Sequence, residues 1–124
     1  MTILTCLMLV AALLPGLTAL AAKAGGRAFD NNEPRVWLAR QQGWRARANA
    51  AQANAFEALP FFFAAVLLAL YNGAAASYLA TLAGAWLALR VIYAGLYMAG
   101  LGTLRSLVWA LAVVVNIVIL FAGA

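Results

Sequence analysis

The sequence predicts an all-α integral membrane protein, a four-helix bundle of antiparallel up-down topology. Three observations predict it. Apolar residues make up 68% of the 124 residues and charged residues only 9%, against roughly 25% charged in soluble domains. Four hydrophobic runs, at about 2–22, 45–71, 74–99 and 103–121, are each long enough to cross about 30 Å of hydrocarbon at ~1.5 Å per residue. The turns between the last three runs are short, which makes those helices antiparallel neighbours. The runs use nearly the whole chain, so residues 1–124 read as a single domain with no soluble part.

The first run is rich in Leu and Ala, with Pro15-Gly16 near its centre. Proline cannot donate a backbone hydrogen bond, so a kink or local loosening is expected there. Met1-Thr2-Ile3-Leu4 supplies no side-chain charge ahead of the run, which favours a retained helix over a secretory signal peptide. Gly25-Gly26 ends it. The loop 23–44 follows, and six of the eight basic residues (Lys23, Arg27, Arg35, Arg40, Arg45 and Arg47) fall between positions 23 and 47. Asp30-Asn31-Asn32-Glu33-Pro34 reads as a turn, and Pro34 can open a short helix through Trp37 and Arg40. Trp37 and Trp44 suit the headgroup level, half wet. The basic bias places this loop on the cytoplasmic side and both termini on the opposite side, with Arg105 agreeing independently. Asn72-Gly73 closes the second run in a tight turn, and Gly100 and Gly102 bracket the turn before the fourth. Gly84 with Ala80 and Ala88, and Gly95 with Ala99, are expected to allow close backbone approach.

Composition also excludes several chemistries. Cys6 is the only cysteine, so there is no disulfide framework, and it reads as a small buried hydrophobe. Histidine is absent and there are three carboxylates, too few donors for a first-row metal centre. The net charge of +5 is an orientation signal in a membrane protein, not a nucleic-acid signal.

The informative stretch is Asn54-Ala55-Phe56-Glu57-Ala58-Leu59-Pro60. Glu57 is an ionisable group inside an apolar run, where it needs a partner. It lies about ten residues, or roughly 15 Å, from the loop end of its helix. Arg90 lies at the same distance from the loop end of the third run, so the two charges are expected to pair. Asn54 shares a helix face with Glu57. Arg90, Tyr93 and Tyr97 follow a helical stripe, Arg105 and Ser106 open the fourth run, and Arg47 and Gln52 stand at the mouth of the second. Together they describe a cavity that is basic at its mouth and polar down to mid-membrane. Such a pocket suits an anionic amphipathic ligand. A thiol could be held there as thiolate by Arg105 and a hydroxyl from Ser106 or a tyrosine. Each residue also has a plainer reading as a packing, interface or topology residue. Phe61-Phe62-Phe63 reads as lipid contact and packing, and Asn116 as bonding across a helix or subunit seam.

These residues resemble the MAPEG family, membrane-associated proteins in eicosanoid and glutathione metabolism, in its small bacterial branch. The resemblance rests on Asn31-Asn32-Glu33-Pro34-Arg35, on Arg45-Ala46-Arg47-Ala48-Asn49-Ala50-Ala51-Gln52-Ala53-Asn54-Ala55-Phe56-Glu57-Ala58-Leu59-Pro60-Phe61, on Arg90-Val91-Ile92-Tyr93-Ala94-Gly95-Leu96-Tyr97, and on Leu104-Arg105-Ser106. It implies a homotrimer of four-helix subunits in the bacterial inner membrane, with glutathione as co-substrate between subunits near the cytoplasmic face. It gives Asn54, Glu57, Arg90, Tyr93, Tyr97 and Arg47 as binding residues and Arg105 with Ser106 as the thiol-activating corner. The chain departs from the pattern of the enzymes at Ala50 and Ala53, where basic residues are usual, at Tyr93, often His, and at Trp109, often Tyr.

Three functions therefore compete. The first is a glutathione-dependent transferase or peroxidase acting on lipophilic electrophiles or hydroperoxides. The second is a non-catalytic protein of the same fold that binds a lipid or other anionic ligand, favoured by Ala50 and Ala53. The third is a small multidrug exporter, disfavoured because the first run has no carboxylate. Leukotriene or prostaglandin synthesis is not supported.

Overall fold

Leu and Ala, strong helix formers, dominate the four long runs, and each run folds as one continuous helix. The computed structural model describes residues 1–124. Its elements are α1 (Thr2–Lys23), α2 (Pro34–Ala39), α3 (Trp44–Tyr71), α4 (Ala76–Ala99) and α5 (Gly102–Phe121). All but α2 are long and apolar enough to cross a membrane. α3 and α4 pack on each other in the middle of the bundle, and each also packs on α1 and α5. α1 and α5 occupy opposite corners.

Buried alanines on α3, among them Ala48, Ala51, Ala55, Ala65 and Ala69, let its neighbours approach closely, the usual route to helix packing where lipid removes the hydrophobic drive. The main core gathers Leu4, Phe62, Val66, Leu79, Trp86 and Ile119. Phe62 is fully buried and stacks on Trp86 with centroids 3.9 Å apart and planes 7° from parallel. Phe61 is exposed at the edge of a cleft and Phe63 is half-buried, so only part of the triplet packs in the core.

The ends of the helices are tied by side chains and tight turns. Helix C-termini leave carbonyls unpaired, and cations are favoured there. Arg45 Nη1 donates to Ala22 O of α1 at 2.9 Å, and Arg47 Nε donates to Met98 O of α4 at 3.0 Å. At the other end, Gly73 takes a φ of +90° and Ala74 N–H reaches back to Ala69 O at 2.9 Å. Gly100, with φ +78°, and the 3.1 Å bond from Leu101 N–H to Leu96 O repeat the motif after α4. In both, the left-handed residue that only glycine adopts readily lets the chain reverse.

α1 is continuous through Pro15, which is buried. Several expectations change on folding. Trp37 is not half wet. It is buried, donates from Nε1 to Arg27 O at 3.0 Å, and meets Phe29 edge to face at 5.1 Å. With Ala22, Leu38 and Ala48 it forms a second small core that pins α2 to the bundle. Cys6 is exposed on α1 rather than buried. Gly95 meets nothing within 4 Å, and Gly84 faces only Leu7 of α1 at 4.0 Å, so neither makes a tight backbone crossing. α4 starts at Ala76, because Gly73 to Ala75 are used by the turn.

Gly26 is where space is tight. A Cβ there would run into the Trp37 ring, and that ring is held by its own hydrogen bond. Gly26→Ala is expected to destabilise the protein by about 1–3 kcal/mol through overpacking. Thermal unfolding of the detergent-solubilised protein checks this, and an unchanged midpoint would show that Trp37 moves freely.

Candidate functional site

A line of three clefts follows the seam where α3, α4 and α5 meet. The deepest, about 240 Å³, is lined by Asn54, Glu57, Trp86, Arg90, Trp109 and Asn116 among others. The middle one, about 280 Å³, is lined by Asn54, Tyr93, Arg105, Ser106 and Trp109. The third, about 140 Å³, opens among Arg47, Tyr97, Gly100 and Arg105 at the loop end. The first two share Asn54 and Trp109, and the last two share Arg105. From Arg105 to Asn116 along α5 the descent is roughly 16 Å at 1.5 Å per residue.

The helical stripe on α4 builds the wall of this line. Spacings of three and four place Arg90, Tyr93 and Tyr97 above one another on one face. The Arg90 guanidinium lies over the Tyr93 ring at 4.4 Å, and Tyr93 meets Tyr97 edge to face at 5.8 Å. The Arg105 guanidinium, reaching over from α5, covers the Tyr97 ring at 4.3 Å. The result is a ladder of cation, ring, ring and cation. Such cation–ring contacts are worth about 0.5–1 kcal/mol where exposed and about 2 kcal/mol where desolvated, and they hold both guanidinium groups beside the clefts.

Eight of the residues singled out in the sequence line this one seam. Asn54, Glu57 and Arg90 stand in the deep cleft, Tyr93, Ser106 and Arg105 in the middle, and Arg47 and Tyr97 at the loop end. One expected contact is not made. Arg90 Nη2 donates to Asn54 Oδ1 and not to Glu57. Asn54 lies one turn nearer the loop end than Glu57, and a long cationic side chain in an apolar bundle leans toward its polar end. Glu57 stays exposed on the surface of the single chain while lining the same cleft. Gln52 lines none of the three clefts, and its Oε1 is buried without a partner. Arg47 spends its Nε on the Met98 carbonyl, so it holds α3 to α4 as well as lining the loop-end cleft.

Two groups carry more of the site than the sequence indicated. Asn116, buried at 4% exposure, finds no partner within the chain for its Oδ1 and lines the deep cleft. Trp86 and Trp109 form apolar walls of that cleft. The available signal for Asn116 was its isolation as the one amide in the otherwise apolar 107–121 stretch. The clefts bring together no cluster of His, Cys, Asp and Glu able to hold a metal ion.

A family model described as the MAPEG family matches residues 1–124. Neither a curated protein nor a solved structure matches the chain. With four apolar helices packed as one bundle, and the match running from the first residue to the last, the chain belongs to the MAPEG family of membrane proteins.

Proposed function

We propose that this chain is a membrane-bound transferase that conjugates glutathione to lipophilic electrophiles, with reduction of lipid hydroperoxides as a related use of the same thiol. The observation that carries this reading is the cation-lined path. Arg47 and Arg105 stand at the loop end, Ser106 and Tyr93 one step deeper, and Arg90 behind them. Guanidinium groups suit the carboxylates of a tripeptide. Arg105 beside the Ser106 hydroxyl supplies a positive charge and a hydrogen-bond donor for a thiolate. In conjugation the thiolate sulfur forms a bond to the electrophilic carbon. The leaving group departs with its electron pair, and the thiol proton leaves by the polar mouth.

The assembly is a homotrimer in the bacterial inner membrane, with the 23–47 segment cytoplasmic and both termini opposite. Glu57 supports a covering subunit. A carboxylate exposed at mid-bundle depth costs roughly 2.5–3.5 kcal/mol or more against hydrocarbon, and a second copy seated on this face removes that exposure. The six basic residues between 23 and 47 support the orientation.

A second reading is a non-catalytic protein that binds an anionic ligand in the same clefts. Ala50 and Ala53 favour it, since no cation stands at either place. The family assignment leaves the exporter alternative without support, as does α1, which has no acidic residue.

Purified protein mixed with glutathione and an aromatic electrophile separates the two readings. Conjugate formation that saturates with glutathione is expected, and its absence with several electrophiles would leave the binding reading. Ser106→Ala is expected to slow conjugation by roughly 10-fold, the worth of one hydroxyl hydrogen bond of about 1–1.5 kcal/mol. An unchanged rate would remove Ser106 from the thiol site.

A further inference from the structure

We infer that the loop end of α1 carries a binding site for the phosphate headgroup of an anionic phospholipid, built from Lys23, Arg27 and Arg45. Between residues 23 and 47 six cations face only two carboxylates, Asp30 and Glu33, so at least four of the cations have no acidic partner in the segment. The third carboxylate of the chain, Glu57, lies well inside α3. None of the three named residues lines the clefts between α3, α4 and α5, so the site stands apart from the thiol reading and does not depend on it.

The three residues are held in place by contacts that leave their charge uncompensated. Lys23 ends α1, and its Nζ lies over the Phe29 ring at 5.8 Å. Arg27 is exposed, while its carbonyl accepts from Trp37 Nε1 at 3.0 Å, so the backbone that carries the side chain is pinned. Arg45 Nη1 donates to Ala22 O at 2.9 Å. Its Nη2 stands beside Gly25, where a Cβ would lie 3.7 Å away, and Gly25 is midway along the chain between Lys23 and Arg27. A guanidinium has several donors in a planar fork, and one bond to a carbonyl neutralises none of its charge. Phosphate oxygens match the donors that remain.

Depth points to a lipid as the source of the phosphate. Lys23 is the last residue of one membrane-length helix and Trp44 the first of another, so both stand where the spans meet the headgroups. Trp44 is 44% exposed, with the Arg45 guanidinium over its ring at 4.5 Å. An indole at that level lies between headgroup and upper acyl chain. Ring and cation together therefore meet both parts of a phospholipid. Clusters of about four to eight Lys or Arg just outside a span attract anionic lipid in this way.

Thermal unfolding of the detergent-solubilised protein tests the site, with phosphatidylglycerol added at rising mole fraction against phosphatidylcholine of the same acyl chains. Each rise is read from the protein's own lipid-free midpoint, so the stability cost of a substitution does not enter. Phosphatidylglycerol is expected to raise the midpoint to a plateau, phosphatidylcholine to raise it less, and inorganic phosphate at the same concentration to leave it unchanged. Lys23→Gln with Arg27→Gln is expected to raise the half-saturating mole fraction of phosphatidylglycerol about 25-fold, roughly fivefold for each cation. Arg35→Gln with Arg40→Gln removes the same charge from α2 and is expected to raise it less than about fivefold. Equal rises with the two phospholipids would overturn the inference, as would a Lys23→Gln/Arg27→Gln protein that responds like the unaltered one. A matching rise with inorganic phosphate would assign the site to a free anion instead. An equal loss in the α2 variant would replace the site with diffuse charge.

Discussion

Arg105→Ala is expected to lower the second-order rate of glutathione conjugation by on the order of 10- to 100-fold. A hydrogen bond between charged partners is worth about 1.5–3 kcal/mol, and each 1.36 kcal/mol is a factor of ten in rate. Arg105 earns the larger share because it belongs to two clefts at once and is held over Tyr97 at 4.3 Å. Losing it removes the charge from the middle of the path and frees the Tyr97 ring. Arg105→Lys separates these effects. It keeps the charge but not the planar stacking on the ring, so a partial recovery is expected. Initial rates over a range of glutathione concentrations check both variants, and a rate equal to that of the unaltered protein in Arg105→Ala would remove Arg105 from the thiol site.

Phe62→Ala is expected to destabilise the protein by about 2–3 kcal/mol and to loosen the deep cleft as well. In soluble proteins a buried Phe→Ala change costs about 3–5 kcal/mol. Part of that is transfer from water, which falls away where the alternative environment is lipid. The cavity and lost dispersion contacts remain. Phe62 is fully buried and lies flat against Trp86, and Trp86 is a wall of the deep cleft. One face of Trp86 therefore belongs to the core and another to the site. Unfolding in detergent measures the first effect. Tryptophan emission measures the second, and an unchanged spectrum in a destabilised protein would show that Trp86 holds its place without Phe62.

Depth was legible in the sequence because helical rise is fixed. Counting residues from the loop end put Asn54, Glu57, Arg90, Tyr93 and Tyr97 on one seam, and they line adjoining clefts there. The rotation of each side chain about its helix was not legible to the same degree. Asn54 and Glu57 share a face, and which of them Arg90 would reach depends on how α3 and α4 are packed. It reaches Asn54. The loop end holds contacts that were illegible for a related reason. A count of basic residues shows charge but not the carbonyls waiting for it, and Arg45 and Arg47 end on the last turns of α1 and α4. Trp37 reads as an interface residue by type, whereas Gly26 leaves the gap that its ring fills. Asn116 stood out by its isolation, but only the packing of α5 against α3 and α4 shows that its oxygen is left without a partner in the chain.

The proposed thiol site requires that a thiol entering these clefts lose its proton. A cysteine-type thiol has a pKa of roughly 8.5, so at pH about 7 free glutathione is almost entirely protonated. Thiolates absorb in the ultraviolet where thiols do not. Titrating the protein with glutathione at that pH and following the difference absorbance is the direct measurement. The unaltered protein is predicted to give a rise that saturates with glutathione, and Arg105→Ala is predicted to give almost none. A flat titration for the unaltered protein, or an equal rise from Arg105→Ala, would contradict the thiol site.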